Sequence, residues 1–271
     1  MCLPSRAMKI LYAFIRTAFH NAYIYRLDFW VRLVSIFISM YASYSLWSIL
    51  YRQSPHAFGM DLERMTTYGV LGMLLAPIMG SAGGIQYYIA DQVRMGTLEL
   101  DLMKPLDFIF HMFCRNLGEF CVGLLTRGLP GLLFAYLFLG FRPPVSLRAG
   151  LAFLLSLSLG YLVFFGINLL MGMLAVVTLD IRSYGWAFWS LVRFASGQLV
   201  PLWMFPPVLG AVVAALPFKD VFFVPMSIYI GAYEGSLPVA LLSQGAWAAG
   251  LFLAARLIWA RVQRRITVQG G

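Results

Sequence analysis

The feature that most limits what this chain can fold into is a series of uncharged apolar stretches of membrane-crossing length. The longest, Leu151 to Leu179, runs for 29 residues without a charged side chain. The hydrocarbon core of a bilayer is about 30 Å thick, takes about 20 apolar residues of helix, and offers backbone amides no partner outside the helix itself. A chain made of such stretches folds as helices in lipid. Of its 271 residues, 61% are hydrophobic and 11% are charged, whereas a soluble domain carries about 25% charged residues. That balance excludes most soluble enzymes.

The spacing of the apolar runs predicts an all-α, polytopic membrane protein forming a single transmembrane domain over 1–271. Six transmembrane helices are expected, at 29–51, 65–90, 117–141, 147–179, 183–205 and 239–260. Before the first lies an amphipathic stretch, 5–28, whose Ile10, Leu11, Phe14, Ala18 and Tyr25 can face lipid while Lys9, Arg16 and Arg26 face headgroups; it reads as a helix in the interface. The segment 91–116 is the most charged internal stretch. Between the fifth and sixth helices, Pro206, Pro207, Gly210, Pro217, Pro225, Gly235 and Pro238 predict broken or re-entrant helical pieces over 206–238 on the outer side.

Twenty Lys and Arg against eleven Asp and Glu make the chain basic, but the cations flank apolar runs and leave no basic soluble domain for nucleic acid. Arg6, Lys9, Arg16 and Arg26 precede the first run, and Arg256, Arg261, Arg264 and Arg265 follow the last, so both termini are expected in the cytoplasm. No cleavable signal peptide is expected, because Lys9, Arg16, His20 and Arg26 interrupt the N-terminal stretch. Cys2, Cys114 and Cys121 are odd in number and lack metal-ligand spacing.

Catalytic patterns are absent: there is no GxxxxGK[ST], HExxH, GxSxG or CxxC, and His20, His56 and His111 fall in three different segments. No catalytic, cofactor-binding or metal-binding residue is expected. Within the apolar runs Arg127 must pair, face a cavity or snorkel, and it stays open between packing and a translocation path, as does Arg193. Asn168 is a candidate for a hydrogen bond inside the membrane. Gly80 and Gly84 have the spacing that lets helices approach closely, within one chain or between two. With few acids or histidines in the spans for an ion relay, energy for uphill movement is expected from a separate source.

Three stretches carry a resemblance to a known family. They are Gly96 to Pro105 (GTLELDLMKP) with Asn116 to Phe120; Ser196-Gly-Gln-Leu-Val-Pro201 continuing through Phe205-Pro-Pro207, Leu216-Pro-Phe218, Pro225 and Gly231; and the ending Val268-Gln-Gly-Gly271. In order and spacing the chain resembles the permease subunits of ABC-2 type exporters, within the group labelled DUF990. The resemblance implies a membrane subunit of the bacterial inner membrane that pairs with itself or a paralogue. It also implies two copies of a separate cytoplasmic ATP-binding subunit, where ATP and Mg would bind, with none held directly here. Arg94, Glu99, Asp101, Lys104 and Pro105 are then the candidates for coupling to that ATPase, and Ser196, Gly197, Pro201 and Pro206 look like the family's outer-gate region. Membrane lipids are the remaining partner. The competing classes are a nontransporting scaffold or channel subunit and a membrane-embedded lipid-modifying enzyme.

Overall fold

Apolar runs in lipid satisfy their amides by coiling into helices, and the computed structural model of the chain is built that way throughout. It describes residues 3–24, 26–53, 60–80, 84–178 and 181–266. Cys2, Tyr25, Pro55, His56, Gly59, Ser81, Ala82, Gly83, Leu179, Asp180 and the closing stretch 268–271 lie outside them. The helices are α1 (Leu3–Ile24), α2 (Arg26–Gln53), α3 (Leu62–Met79), α4 (Gly84–Arg94), α5 (Leu98–Leu102), α6 (Phe108–Gly123), α7 (Leu129–Phe138) and α8 (Leu147–Thr178). After them come α9 (Arg182–Ala195), α10 (Pro207–Ala214), α11 (Phe223–Ile230) and α12 (Leu237–Ile266). No strand occurs among the described residues.

Five helical stretches among the described residues are long and apolar enough to cross a membrane: Leu27–Gln53, Leu62–Arg94, Phe108–Phe138, Leu147–Thr178 and Leu237–Gln263. The expectation of six is corrected to five. The apolar run at 183–205 forms only α9, whose 14 residues reach about 21 Å, short of the hydrocarbon core. It stops at Gly197, which takes a left-handed φ of 71°, and Pro201 follows. An apolar run sets how long a helix is allowed to be, and backbone breakers decide how long it is.

The re-entrant outer helices expected over 206–238 are corrected as well. That stretch contains α10, a 3₁₀ turn at Pro217–Asp220, α11 and the start of α12. α11 is buried from Val224 to Ile230 and packs on α8 and α3, so protein covers it and no re-entrant pair forms among the described residues.

α8 is the centre of the bundle, with α12, α4 and α11 packed around it. Its glycines set those distances: a Cβ on Gly160 would come within 2.8 Å of the Asp220 carbonyl oxygen, and one on Gly172 within 3.1 Å of the Gln86 Cα. The bundle has two ends. At one, Arg256 of α12 pairs with Asp107 at 2.7 Å; at the other, Arg142 pairs with Glu63 at 2.7 Å. Gly185 of α9 lies against Tyr87 of α4, and Gly231 at the end of α11 lies against Val145. The chain therefore passes from the Asp107 end to the Val145 end through short helices packed on other helices.

The amphipathic stretch lies in α1, which packs on α6 and leaves Tyr12 and Phe19 exposed. Phe14 of α1 packs on His111 with ring centroids 5.2 Å apart, and a Cβ on Gly118 would lie 3.1 Å from the Phe14 carbonyl oxygen. Ile10, Leu11, Phe14 and Ala18 are half-buried.

Candidate functional site

Two places hold the charged candidates, the segment between α4 and α6 and a cleft beside the π turn Leu124–Gly128. A third polar group joins α8 to α12, where Gln244 Nε2 donates to the Asp220 carbonyl at 2.8 Å and Ser156 Oγ donates to Gln244 Oε1 at 3.0 Å.

The first begins where α4 ends at Arg94 and Gly96 turns the chain with a φ of 68°. Asp107 then caps α6 by accepting from the Phe110 amide at 2.9 Å, so the segment is closed by regular structure at both ends. Asp101 sits 5% exposed at its centre. Tyr88 Oη donates to one carboxylate oxygen at 2.7 Å and Lys104 Nζ to the other at 2.7 Å. Burial pushes the Asp101 carboxyl up, but the hydrogen bonds from Lys104 and Tyr88, with the Lys104 charge, outweigh it and hold the group below its ordinary range. Arg115 stacks over the Tyr88 ring, 3.8 Å from its centroid, and reaches toward Glu119 at 3.7 Å. His111 lies buried beside them with Nδ1 4.0 Å from Asp101.

Of the five coupling candidates, Asp101 is thus an internal anchor, whereas Arg94, Glu99, Lys104 and Pro105 are exposed. The apolar residues beside them are exposed too, Met95 at 68%, Leu100 at 61% and Met103 at 79%. A neighbouring cavity of about 520 Å³ is lined by Leu102, Leu106, Asp107, Phe108, Arg256 and Trp259. Exposed apolar side chains on a segment held this firmly form a surface suited to a protein partner.

The second place lies between α2, α3, α9 and the π turn: a cleft of about 400 Å³. Arg127 enters it from the π turn, where the helix is wound wide, and is 8% exposed. Its Nη1 donates to the carbonyl of Pro77 at 3.1 Å. Arg193 is on the cleft wall with Nε donating to Gln198 Oε1 at 3.1 Å, and Arg32 lines it while pairing with Asp28 at 2.6 Å. Asn168 is elsewhere: its amide donates to the Phe164 carbonyl of its own helix at 2.8 Å.

The turn after α9 is locked onto α3. Ser196, Gly197 and Gln198 are buried; Tyr68 Oη donates to the Gly197 carbonyl at 2.6 Å and Gln198 Nε2 to the Gly72 carbonyl at 3.2 Å. Pro201 is buried and Pro206 exposed, so this group does not share one surface. Gly80 faces Trp189 of the same chain, where a Cβ would come within 2.8 Å of the indole, and Gly84 takes a left-handed φ of 74°.

Tyr88, Gln198 and Arg32 were not singled out by sequence. Tyr88 meets Asp101 across 13 residues and Gln198 meets Gly72 across 126, separations that no helical period reports. Arg32, four residues after Asp28, had that spacing as a signal.

No metal-binding group of three or more His, Cys, Asp or Glu occurs among the described residues. No curated protein matches the chain. A family model does, and it covers residues 37–270, from within the first span to the last residues of the chain. That model describes the ABC-2 family transporter protein, whose members are noncatalytic membrane permeases. Five apolar spans among the described residues and a family match over most of the length lead to one conclusion: this chain belongs to the ABC-2 family of transporter membrane proteins.

Proposed function

We propose that the chain is the permease subunit of an exporter of the DUF990 group, resident in a bacterial inner membrane, and that it forms the substrate path with a second copy or a paralogue. Two copies of a separate ATP-binding subunit drive it from the cytoplasm, docking on the segment between α4 and α6. The observation that carries this reading is the contrast within that segment. Asp101 ties it to Tyr88 at 2.7 Å from within, while Glu99, Leu100, Met103, Lys104 and Pro105 stand exposed. A lever that transmits force needs a firm root and a free surface, and this segment has both. In this reading the Asp107 end faces the cytoplasm, together with the basic end of α12. The Ser196 to Pro206 region, Asn168 and the Gly80/Gly84 pair then belong to the moving or packed parts of the path.

The test is extraction of the tagged chain from its native membrane in mild detergent, with mass spectrometry of stoichiometric partners and an ATPase assay. One ATP-binding chain per permease is expected, and charge reversal of exposed Arg94 and Glu99 together, which leaves the Lys104–Asp101 pair in place, should release it while leaving the permease folded. Recovery without any ATPase, after crosslinking before extraction, would move the chain to the scaffold or channel class.

A further inference from the structure

The cleft beside the π turn has an unusual electrical character for a cavity at membrane depth. Arg32, Arg127 and Arg193 line it, and among the described residues no carboxylate does. The charged groups packed around it are Asp28, which pairs with Arg32, and Glu119, which faces Arg115, Arg127 and Arg32. Among the described residues, four guanidinium groups thus stand against two carboxylates. No acid lies within 4.0 Å of Arg127 or Arg193 among the described residues, since the ion pairs there involve other cations.

Arg127 carries five N–H donors, and the Pro77 carbonyl takes one. A guanidinium 8% exposed at membrane depth is costly unless oxygen lone pairs meet its remaining donors. Arg193 commits Nε to Gln198, and among the described residues no acceptor meets its two terminal amino groups. The other walls are apolar: Ile36, Met73, Ala76, Trp186 and Trp189. Trp186 is 76% exposed, so the apolar wall continues outward from the cleft.

We propose that this cleft binds an anionic amphiphile, its phosphate or carboxylate held by Arg127 and Arg193 and its apolar chain laid along Trp189 and Trp186. Planar guanidinium forks match the two oxygens of such a headgroup, and the indole faces accept the hydrocarbon that follows it. The inference goes beyond the permease proposal and does not depend on an ATPase partner. It requires only a membrane protein with this cleft.

The test is a competition of dioleoyl phosphatidylglycerol against dioleoyl phosphatidylcholine for the full chain in neutral detergent, read by native mass spectrometry, with inorganic phosphate as the free-anion arm. Charge-assisted hydrogen bonds of this kind correspond to a preference of about tenfold or more for the anionic lipid. Arg127→Gln and Arg193→Gln should each remove most of that preference, while Arg148→Gln, at the Val145 end, should leave it intact. Arg193 is exposed, so its variant keeps the test open even where Arg127→Gln fails to assemble. Equal binding of the two lipids, retention of the preference by Arg193→Gln, or displacement of lipid by millimolar phosphate as readily as by phosphatidylglycerol would each overturn the proposal.

Discussion

Asp220 shows how a single buried group leaves a measurable mark. It is 1% exposed, its Oδ1 has no hydrogen-bond partner among the described residues, and burial pushes its carboxyl up to about 6 against the opposing pull of Lys219 and Ser243. The folded chain therefore holds this proton more tightly than the unfolded chain. The associated stability is complete below the unfolded value near 4 and is lost as pH rises through about 6. Asp220→Asn removes the titration. Thermal melting of both proteins in detergent from pH 4 to 8 should show the wild type losing on the order of 1–3 kcal/mol that the variant keeps; superimposable pH profiles would refute the assignment. Tyr68 is a second case. Its hydroxyl donates to the Gly197 carbonyl at full burial, so Tyr68→Phe leaves that oxygen without its donor and should cost about 1–3 kcal/mol. A melting temperature unchanged from wild type would show that the turn finds another donor.

At the scale of elements, contacts rather than hydropathy decide the outcome. Gly72 of α3 is where the turn after α9 docks: a Cβ there would come within 2.6 Å of the Gln198 carbonyl oxygen, a backbone atom with little freedom to give way. Gly72→Val should separate α3 from that turn and lower the melting temperature more than Gly250→Val on α12, where nothing lies within 4 Å. Equal effects of the two would remove the claim that this contact is tight. The all-α, polytopic character was legible, because lipid forces long apolar runs into helices and such runs are visible in composition. The number of spans was not. The stretch from Ser183 to Leu216 is apolar enough to suggest a crossing, yet Gly197, Pro201, Pro206 and Pro207 divide it into α9, a 3₁₀ turn and α10, each shorter than a span. The contact of α1 with α6 was not legible, because the approach of the Phe14 backbone to Gly118 depends on a residue more than 100 positions away and leaves no period in the sequence of α1. The charged segment stood out by composition. Its division into a buried Asp101 and exposed neighbours depended on Tyr88, a residue without charge and without a motif.

The whole molecule carries its own constraint, which is parity. With five spans and no other passage, the start of α2 and the end of α12 would lie on opposite faces of the membrane. The contacts give the short helices a path along the bundle that adds no sixth membrane-length helix among the described residues. Arg256 pairs with Asp107, Gly185 lies against Tyr87, and Gly231 lies against Val145, so the chain runs from one end of the bundle to the other through short helices, of which α11 is packed on α8 and α3 while α9 and α10 are largely exposed. Sidedness is directly testable by single cysteines in a background where Cys2, Cys114 and Cys121 are replaced, labelled in intact cells with a maleimide that does not cross membranes. Ser146 and Gly235 are exposed at the Val145 end; Lys104 and Gln263 are exposed at the Asp107 end. Cysteines at the first two positions should react together from one face, and those at the other two only after the membrane is opened. The reverse pairing, with Gly235 shielded alongside Lys104, would mean that the short helices do not carry the chain across, and the arrangement of α9 to α11 on α8 would have to be abandoned. A uniform inversion, with Lys104 and Gln263 reactive in intact cells, would keep the fold and instead place the exposed coupling segment on the face where no cytoplasmic ATPase can reach it.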